Sequence, residues 1–230
     1  MEKEEFYERE RKRMVEQLIS EGVLKSDKVI KAMLRVPREE FVLPSYRKYA
    51  YVDSPLPIPG GQTISAPHMV AMMCEHADFE VGHRVLEIGT GSGYHAAVIA
   101  EIVAPSDLDK SSWGHVYSVE RLRELVIFAK NNIEKAGYSN RVTIIEGDGT
   151  LGYPREAPYD RIIVTAGAPR PPRPLMEQLK VGGKMVIPIG SKHYQELVII
   201  SRMGEDKYEC EKSVPCVFVP LVGAFGWKTS

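Results

Sequence analysis

Residues 85–100 read VLEIGTGSGYHAAVIA, and the chain is organised around them. The run Val85-Leu86-Glu87-Ile88 is short, apolar and β-branched at both ends, as a buried strand is. Glycines follow at three alternate positions, Gly89, Gly91 and Gly93. From Tyr94 to Val103 the sequence is apolar enough for a packed helix. Strand, glycine turn and helix together form the opening unit of a nucleotide-binding α/β fold. Glycine tolerates positive φ and carries no Cβ, so a ligand can lie close against the backbone of such a turn. The helix that follows offers unpaired N–H groups to that ligand.

The spacing narrows the ligand. A dinucleotide fingerprint is G-x-G-x-x-G, whereas here Tyr94 stands where its third glycine would fall. Glu87 lies just before the turn. The pattern E-x-G-x-G-x-G resembles motif I of class I methyltransferases that use S-adenosylmethionine (AdoMet). The resemblance implies that Glu87, Gly89, Thr90, Gly91, Ser92 and Gly93 face the amino-acid part of that cofactor. An ordinary glycine-rich turn is the plainer alternative.

Composition removes several classes of function. The 230 residues carry 27% charged side chains and a formal net charge of −1, so no global basic field favours nucleic acid. The mixed-charge run from Glu8 to Arg13 reads as a solvated helix face. No apolar stretch reaches the length of a membrane span, and the acidic start MEKEEFYERE lacks the core of a signal peptide. The three cysteines show no CxxC spacing and suit a reducing compartment. The six histidines form no HExxH motif or Cys/His cluster, so no protein-built metal site is expected. A cytoplasmic chain is expected.

Upstream, residues 4–21 read as a helix with Phe6, Met14, Leu18 and Ile19 near one face. Ser26 is placed to cap a second helix with Val29, Ile30, Met33 and Leu34 on its apolar face, ended by Pro37. These helices form an extension with too few apolar residues for a core of their own. From Phe41 to Pro67, prolines at 44, 55, 57, 59 and 67 and the pair Gly60-Gly61 mark a long irregular segment. Its aromatic content argues against disorder, and ordered irregular segments of this length are usually functional.

That segment ends in Gly61-Gln62-Thr63-Ile64-Ser65-Ala66-Pro67-His68-Met69-Val70. GQTISAPHMV, just upstream of motif I, resembles the hallmark of the protein-L-isoaspartate (D-aspartate) O-methyltransferases. VTAGAP and QLKVGGKMVIPIG (residues 164–169 and 178–190) and VPCVFVPL (residues 214–221) resemble the same family, so the likeness spans about residue 40 to 221. Past Leu221 the sequence VGAFGWKTS departs from the family version, which puts polar contacts from the tail in doubt. The resemblance implies Ser65 as the residue that orients the acceptor carboxylate. It implies Gln62, Thr63 and His68 on the cofactor side. A second reading makes Ser65 a helix N-cap with Pro67 in the first turn, and His68 and Gln62 plain helix-start and loop residues.

Downstream, a polar insertion at 105–114 precedes a strand from His115 to Val119. Glu120 ends it, where an acidic residue can accept both ribose hydroxyls of a nucleoside; a surface glutamate opening the helix 122–136 is the alternative. Residues 141–145 form a third strand leading to Glu146-Gly147-Asp148-Gly149. The resemblance gives Asp148 and Gly149 the adenine edge, while a Gly-Asp-Gly turn competes. Strands are expected at 161–164, 184–189, 196–202 and about 207–212, with a short helix at 175–179. No Asn/Asp-Pro-Pro-aromatic motif follows the fourth strand, which argues against methylation of a base nitrogen.

The expected fold is a doubly wound, seven-stranded, mostly parallel α/β sheet of the Rossmann-like methyltransferase class, with an N-terminal helical extension. Its class implies strand order 3-2-1-4-5-7-6. One domain spans 1–230, divided into the extension (1–40), a covering segment (41–80), the AdoMet-binding sheet (81–213) and a returning C-terminal segment (214–230). The resemblance implies methyl transfer from AdoMet, leaving S-adenosyl-L-homocysteine, to L-isoaspartyl residues in damaged proteins and peptides. No nucleic-acid or membrane partner is expected, and the chain is expected to be a monomer. The rivals are another AdoMet methyltransferase acting on RNA or a small molecule, and an NAD enzyme.

Overall fold

The computed structural model describes residues 2–228; Met1, Thr229 and Ser230, at the ends of the expected domain, lie outside the described residues. In chain order the elements are α1 (Glu2–Ser20), α2 (Asp27–Arg35), β1 (Leu56–Ile58), β2 (Gln62–Ile64), α3 (Pro67–Ala77), β3 (Arg84–Ile88), α4 (Tyr94–Val103), β4 (His115–Glu120), α5 (Arg123–Lys135), β5 (Val142–Glu146), β6 (Tyr159–Val164), α6 (Arg173–Gln178), β7 (Leu179–Gly190), β8 (Gln195–Arg202) and β9 (Tyr208–Cys216). Short 3₁₀ turns join several of them.

Seven strands form one sheet in the order β5-β4-β3-β6-β7-β8-β9. The five from β5 to β7 are parallel, and β8 runs antiparallel to both β7 and β9. Numbered within the sheet, this is 3-2-1-4-5-6-7, not the 3-2-1-4-5-7-6 expected from the class. The reason is local. Only residues 191–194 separate β7 from β8, and only 203–207 separate β8 from β9. Connections that short oblige consecutive strands to pair as a meander. The last strand is also longer than expected and runs on to Cys216.

Side chains alternate across the sheet, as the strand period of two requires. Val85, Val116 and Ile163 join a core that also takes in α1 to α5. Leu86, Ile88, Ile162 and Val164 join a second core on the opposite face with Leu175 of α6. The extension is part of the first core, since Met14, Val15 and Leu18 of α1 and Val29 and Met33 of α2 are buried within it. Ser26 precedes α2, but its hydroxyl is buried without a partner and caps nothing. Glu75 Oε1 instead accepts the N–H groups of Lys25 (2.8 Å) and Ser26 (2.9 Å). The segment expected to be irregular contains an antiparallel hairpin of β1 with β2, turning through Pro59-Gly60-Gly61. Among the described residues, no helix is long and apolar enough to cross a membrane.

The parallel registers align the carboxyl ends of the central strands. Ile88 lies opposite Val119 on one side and Val164 on the other. From β3 the chain winds outward to β4 and β5, then returns to β6 on the far side. That reversal opens a crevice beyond β3, where ligands of doubly wound sheets bind.

Candidate active site

The glycine turn takes its shape from local rules. Gly89, Gly91 and Gly93 have φ of +93°, +56° and +88°, a region that side chains with a Cβ rarely occupy. Sterics add to this at Gly89, where a Cβ would lie 2.5 Å from Thr165 Oγ1. The Thr165 hydroxyl donates to the carbonyls of Gly89 (2.6 Å) and Ile88 (3.0 Å), which ties the ends of β3 and β6 together.

Beyond the turn lies a partly open cleft of about 800 Å³, counted with the solvent at its mouth. Its floor is Ile88 to Ser92, with Tyr94 and His95 of α4. Gln62, Thr63, Ile64 and Ser65 line it from the hairpin side, Glu120 to Leu122 from the end of β4, and Gly149 from the turn after β5. Val219 to Val222 close it from the C-terminal segment. Gly167 of the β6–α6 connection bridges Pro220, with Gly167 N–H to Val219 O at 2.8 Å and Leu221 N–H to Gly167 O at 2.8 Å.

Glu120 is only 7% exposed and is no surface residue. Its Oε2 accepts the Gly91 N–H at 3.1 Å and its Oε1 accepts the Leu122 N–H at 3.0 Å. A carboxylate has about four acceptor positions, so two backbone donors leave room for two hydroxyls. Ser65 also reaches the cleft wall, and its hydroxyl makes no hydrogen bond among the described residues. It is not the N-cap of α3. Ala66 holds that position, and the first turn is capped from a distance by Asp53, whose Oδ1 accepts the His68 N–H at 2.9 Å.

Four of the residues named from the sequence do not reach the cleft wall. His68 turns its Nδ1 to Asp53, at 2.9 and 3.0 Å from the two carboxylate oxygens. Gly93 instead admits α5, since a Cβ there would lie 3.1 Å from Ile133 Cγ1. Asp148 faces the tail. Its Oδ1 accepts from Thr150 N–H (2.9 Å) and Oγ1 (2.7 Å), and its Oδ2 from Ala224 N–H (2.8 Å). Burial pushes the Asp148 pKa up, but the donations from Ala224 and Thr150 hold it below the usual range.

Glu87 is fully buried beneath the turn. Its Oε2 forms a short hydrogen bond with the Ser118 hydroxyl, and Ser118 Oγ lies 2.6 Å from Thr90 Oγ1. Its Oε1 has no partner. Burial, partly offset by Ser118 and reinforced by the charge of Glu120, pushes the Glu87 pKa up to about 8. Glu87 therefore supports the cleft through Ser118 and Thr90 and does not line it.

Sequence reasoning missed Tyr94, His95, Thr165 and the anchoring of the tail. Burial drives the His95 pKa down to about 3, so its imidazole is neutral in the cleft wall. The tail past Leu221 is firmly held. Trp227 donates its Nε1–H to Gly167 O (3.0 Å) and its N–H to Leu221 O (2.8 Å), and Phe225 N–H donates to Thr150 Oγ1 (3.1 Å).

A doubly wound sheet with this turn, a buried acid at the end of β4 and a crevice between them defines a class I AdoMet-type methyltransferase. The protein-L-isoaspartate(D-aspartate) O-methyltransferase model matches residues 9–226. A protein-L-isoaspartate O-methyltransferase of Hyperthermus butylicus is 59% identical over 225 residues, 98% of this chain and 93% of that one. One from Pyrococcus horikoshii is 54% identical over 229 residues, 99% of each chain. A solved protein-L-isoaspartate O-methyltransferase superposes with a TM-score of 0.83 at 35% identity, covering 94% of this chain and 67% of that one. A Plasmodium falciparum structure of the same description, in complex with S-adenosyl-L-homocysteine, gives 0.80 at 28% identity, over 92% and 98% of the two chains. The chain belongs to the protein-L-isoaspartate (D-aspartate) O-methyltransferase family.

Proposed function

We propose that this protein transfers a methyl group from AdoMet to the α-carboxylate of L-isoaspartyl residues in damaged proteins and peptides. The product ester closes to a succinimide, which hydrolyses in part to normal aspartate. The observation that carries the reading is Ser65, whose hydroxyl makes no hydrogen bond among the described residues, in the wall of a cleft that also holds the glycine turn and Glu120. The relatives' shared description, at 54–59% identity along nearly the whole chain, supports the acceptor class.

The residues present fit the cofactor. Glycine at 89 and 91 leaves the backbone bare at the cleft floor, and the φ of +56° at Gly91 is one that residues with a Cβ rarely adopt. Glu120 has acceptor capacity for the ribose hydroxyls. The N–H of Gly91, already directed at Glu120, fixes that carboxylate against the turn. AdoMet supplies the methyl on a sulfonium, a good leaving group.

The chain's own task is then mostly geometric. A carboxylate acceptor needs no deprotonation at neutral pH, and the neutral His95 in the wall is neither charged nor required as a base. Ser65 donates its hydroxyl to one acceptor oxygen and points the other along the transfer line. The hairpin and residues 219–222 exclude water on two sides. Orientation of this kind contributes up to roughly 7–11 kcal/mol in favourable systems. Thr63, Gln62, Thr90, Ser92 and Gly149 line the cofactor's bed. Asp148 acts on it indirectly by pinning the tail. The division into extension, covering segment, sheet and returning segment is part of the same reading. So are a monomeric cytoplasmic enzyme and the absence of nucleic-acid and membrane partners.

The bond formed supplies a test. Label transferred from methyl-labelled AdoMet to an isoaspartyl peptide should be released as volatile methanol on mild alkaline treatment, because succinimide closure expels methoxide. Label that stays on the acceptor under alkali, as an N-methyl group would, contradicts the reading.

A further inference from the structure

Arg38 is fully buried, and among the described residues no carboxylate lies within ion-pair distance of it, although the charge of Asp53 favours its protonated form. Its Nε donates to Ala50 O at 2.7 Å and its Nη2 to Ser65 O at 2.8 Å. Its Nη1 is buried and makes no well-formed hydrogen bond among the described residues, with the Tyr94 hydroxyl near enough to favour its charge. The guanidinium lies over the Tyr94 ring, 4.7 Å from the centroid. Tyr94 opens α4 immediately after the glycine turn and lines the cleft. A charge in such surroundings is costly unless it satisfies several groups at once, so its placement asks for a role.

The two carbonyls that Arg38 holds mark the ends of one segment. Residues 51–64, between Ala50 and Ser65, contain the β1–β2 hairpin whose second strand lines the cleft. One planar fork therefore closes the base of the covering segment and rests on the first helical residue of the cofactor turn. Arginine suits this because its donors are fixed in a plane, whereas a lysine ammonium is a single point on a flexible stem. Two packed elements, one carrying the acceptor-side hydroxyl and one the methyl-donor turn, meet on this side chain.

We infer that Arg38 is a positioning residue for methyl transfer: by clasping the Ser65 carbonyl against the first turn of α4 it sets the distance between the Ser65 hydroxyl and the cofactor turn. The inference rests on the reading of Ser65 as the hydroxyl that orients the acceptor. Loss of the clasp frees the Ser65 backbone, and misplacement by about 1 Å costs around a hundredfold in rate. The loss should vanish where there is no Ser65 hydroxyl left to misplace.

The test is a double-mutant cycle on the full chain with Arg38→Lys and Ser65→Ala. The readout is single-turnover methylation of an isoaspartyl peptide at saturating AdoMet and peptide. Rates are normalised to sites that bind S-adenosylhomocysteine, so that a loss of folded protein does not count. Arg38→Lys is expected to slow turnover about 10- to 100-fold in the wild-type background, and less than about threefold once Ser65 is alanine, since coupled residues are non-additive. Equal losses in both backgrounds would show that Arg38 acts elsewhere, and no loss in either would show that Ser65 is placed without it; both overturn the inference while leaving the function intact. Wild-type turnover in Ser65→Ala removes Ser65 from the mechanism, and the inference with it. Arg38→Gln, which removes the buried charge and keeps a planar amide donor, repeats the cycle; the same dependence on Ser65 is expected, and a loss that is equal in both backgrounds overturns the inference.

Discussion

Replacing Glu87 by glutamine should flatten the pH dependence of stability. Glu87 is completely buried, one oxygen is without a partner, and its pKa is pushed up to about 8. In the unfolded chain a glutamate titrates near 4.3. Between those values the folded protein keeps a proton that the unfolded chain has released, so stability falls as pH rises, by up to about 1.36 kcal/mol per unit. Below about pH 4.3 the effect is absent, and above about 8 it is complete. Integrated from pH 5.5 to 7.5, wild type should lose about 2.5 kcal/mol that Glu87→Gln keeps. A constant offset, such as an amide N–H without an acceptor, cancels in this difference. So do other groups that titrate alike in both proteins. The assay is equilibrium unfolding in guanidinium chloride without cofactor, for both proteins at both pH values. Parallel pH dependences would refute the reasoning, since they would mean that Glu87 is ionised in the folded state.

Other substitutions probe the cleft. Glu120→Ala should weaken S-adenosylhomocysteine binding by about 1.5–3 kcal/mol in calorimetry, the range for hydrogen bonds to a charged group; unchanged affinity in a folded variant would remove Glu120 from the site. Asp53→Ala should cost about 0.5–2 kcal/mol in a denaturant melt through loss of the α3 cap, while Ser65→Ala should leave stability nearly unchanged because its hydroxyl makes no hydrogen bond among the described residues. A larger stability loss in Ser65→Ala than in Asp53→Ala would reverse that assignment. Gly89→Ala should cripple cofactor binding, since its Cβ would meet Thr165 Oγ1 at 2.5 Å in a backbone with φ of +93°; thermal melting with and without S-adenosylhomocysteine checks this.

What could be read from residues alone tracks how local the physics is. The bounds of α4 are those expected, because glycine spacing and helix periodicity both act within a few residues. The β1–β2 hairpin was not legible, since three-residue strands flanked by proline and glycine carry no periodicity. The cap on α3 was not legible, and the alternative that gave it to Ser65 fails, because Asp53 supplies it from fifteen residues before His68, beyond any local motif. The order of the last strands followed the length of the connections, a feature that a class average overrides wrongly. Glu87 illustrates the limit most clearly. Its position in the motif suggested a cofactor contact, but the alternation of β3 puts it on the same buried face as Val85, beside its register partner Ser118. The tail past Leu221 could not be read, because it is held largely by backbone N–H groups that reach Asp148 and Thr150.

The central claim is that the cleft recognises an α-carboxylate displaced by one methylene from its normal place in the chain. The most direct measurement is labelled methyl transfer from AdoMet to two peptides of identical sequence, one with L-isoaspartate and one with L-aspartate at the same position. The account predicts labelling of the isoaspartyl peptide and none of its aspartyl twin, with the signal much reduced in Ser65→Ala. Equal labelling of the two peptides, or labelling of RNA alone, would contradict it.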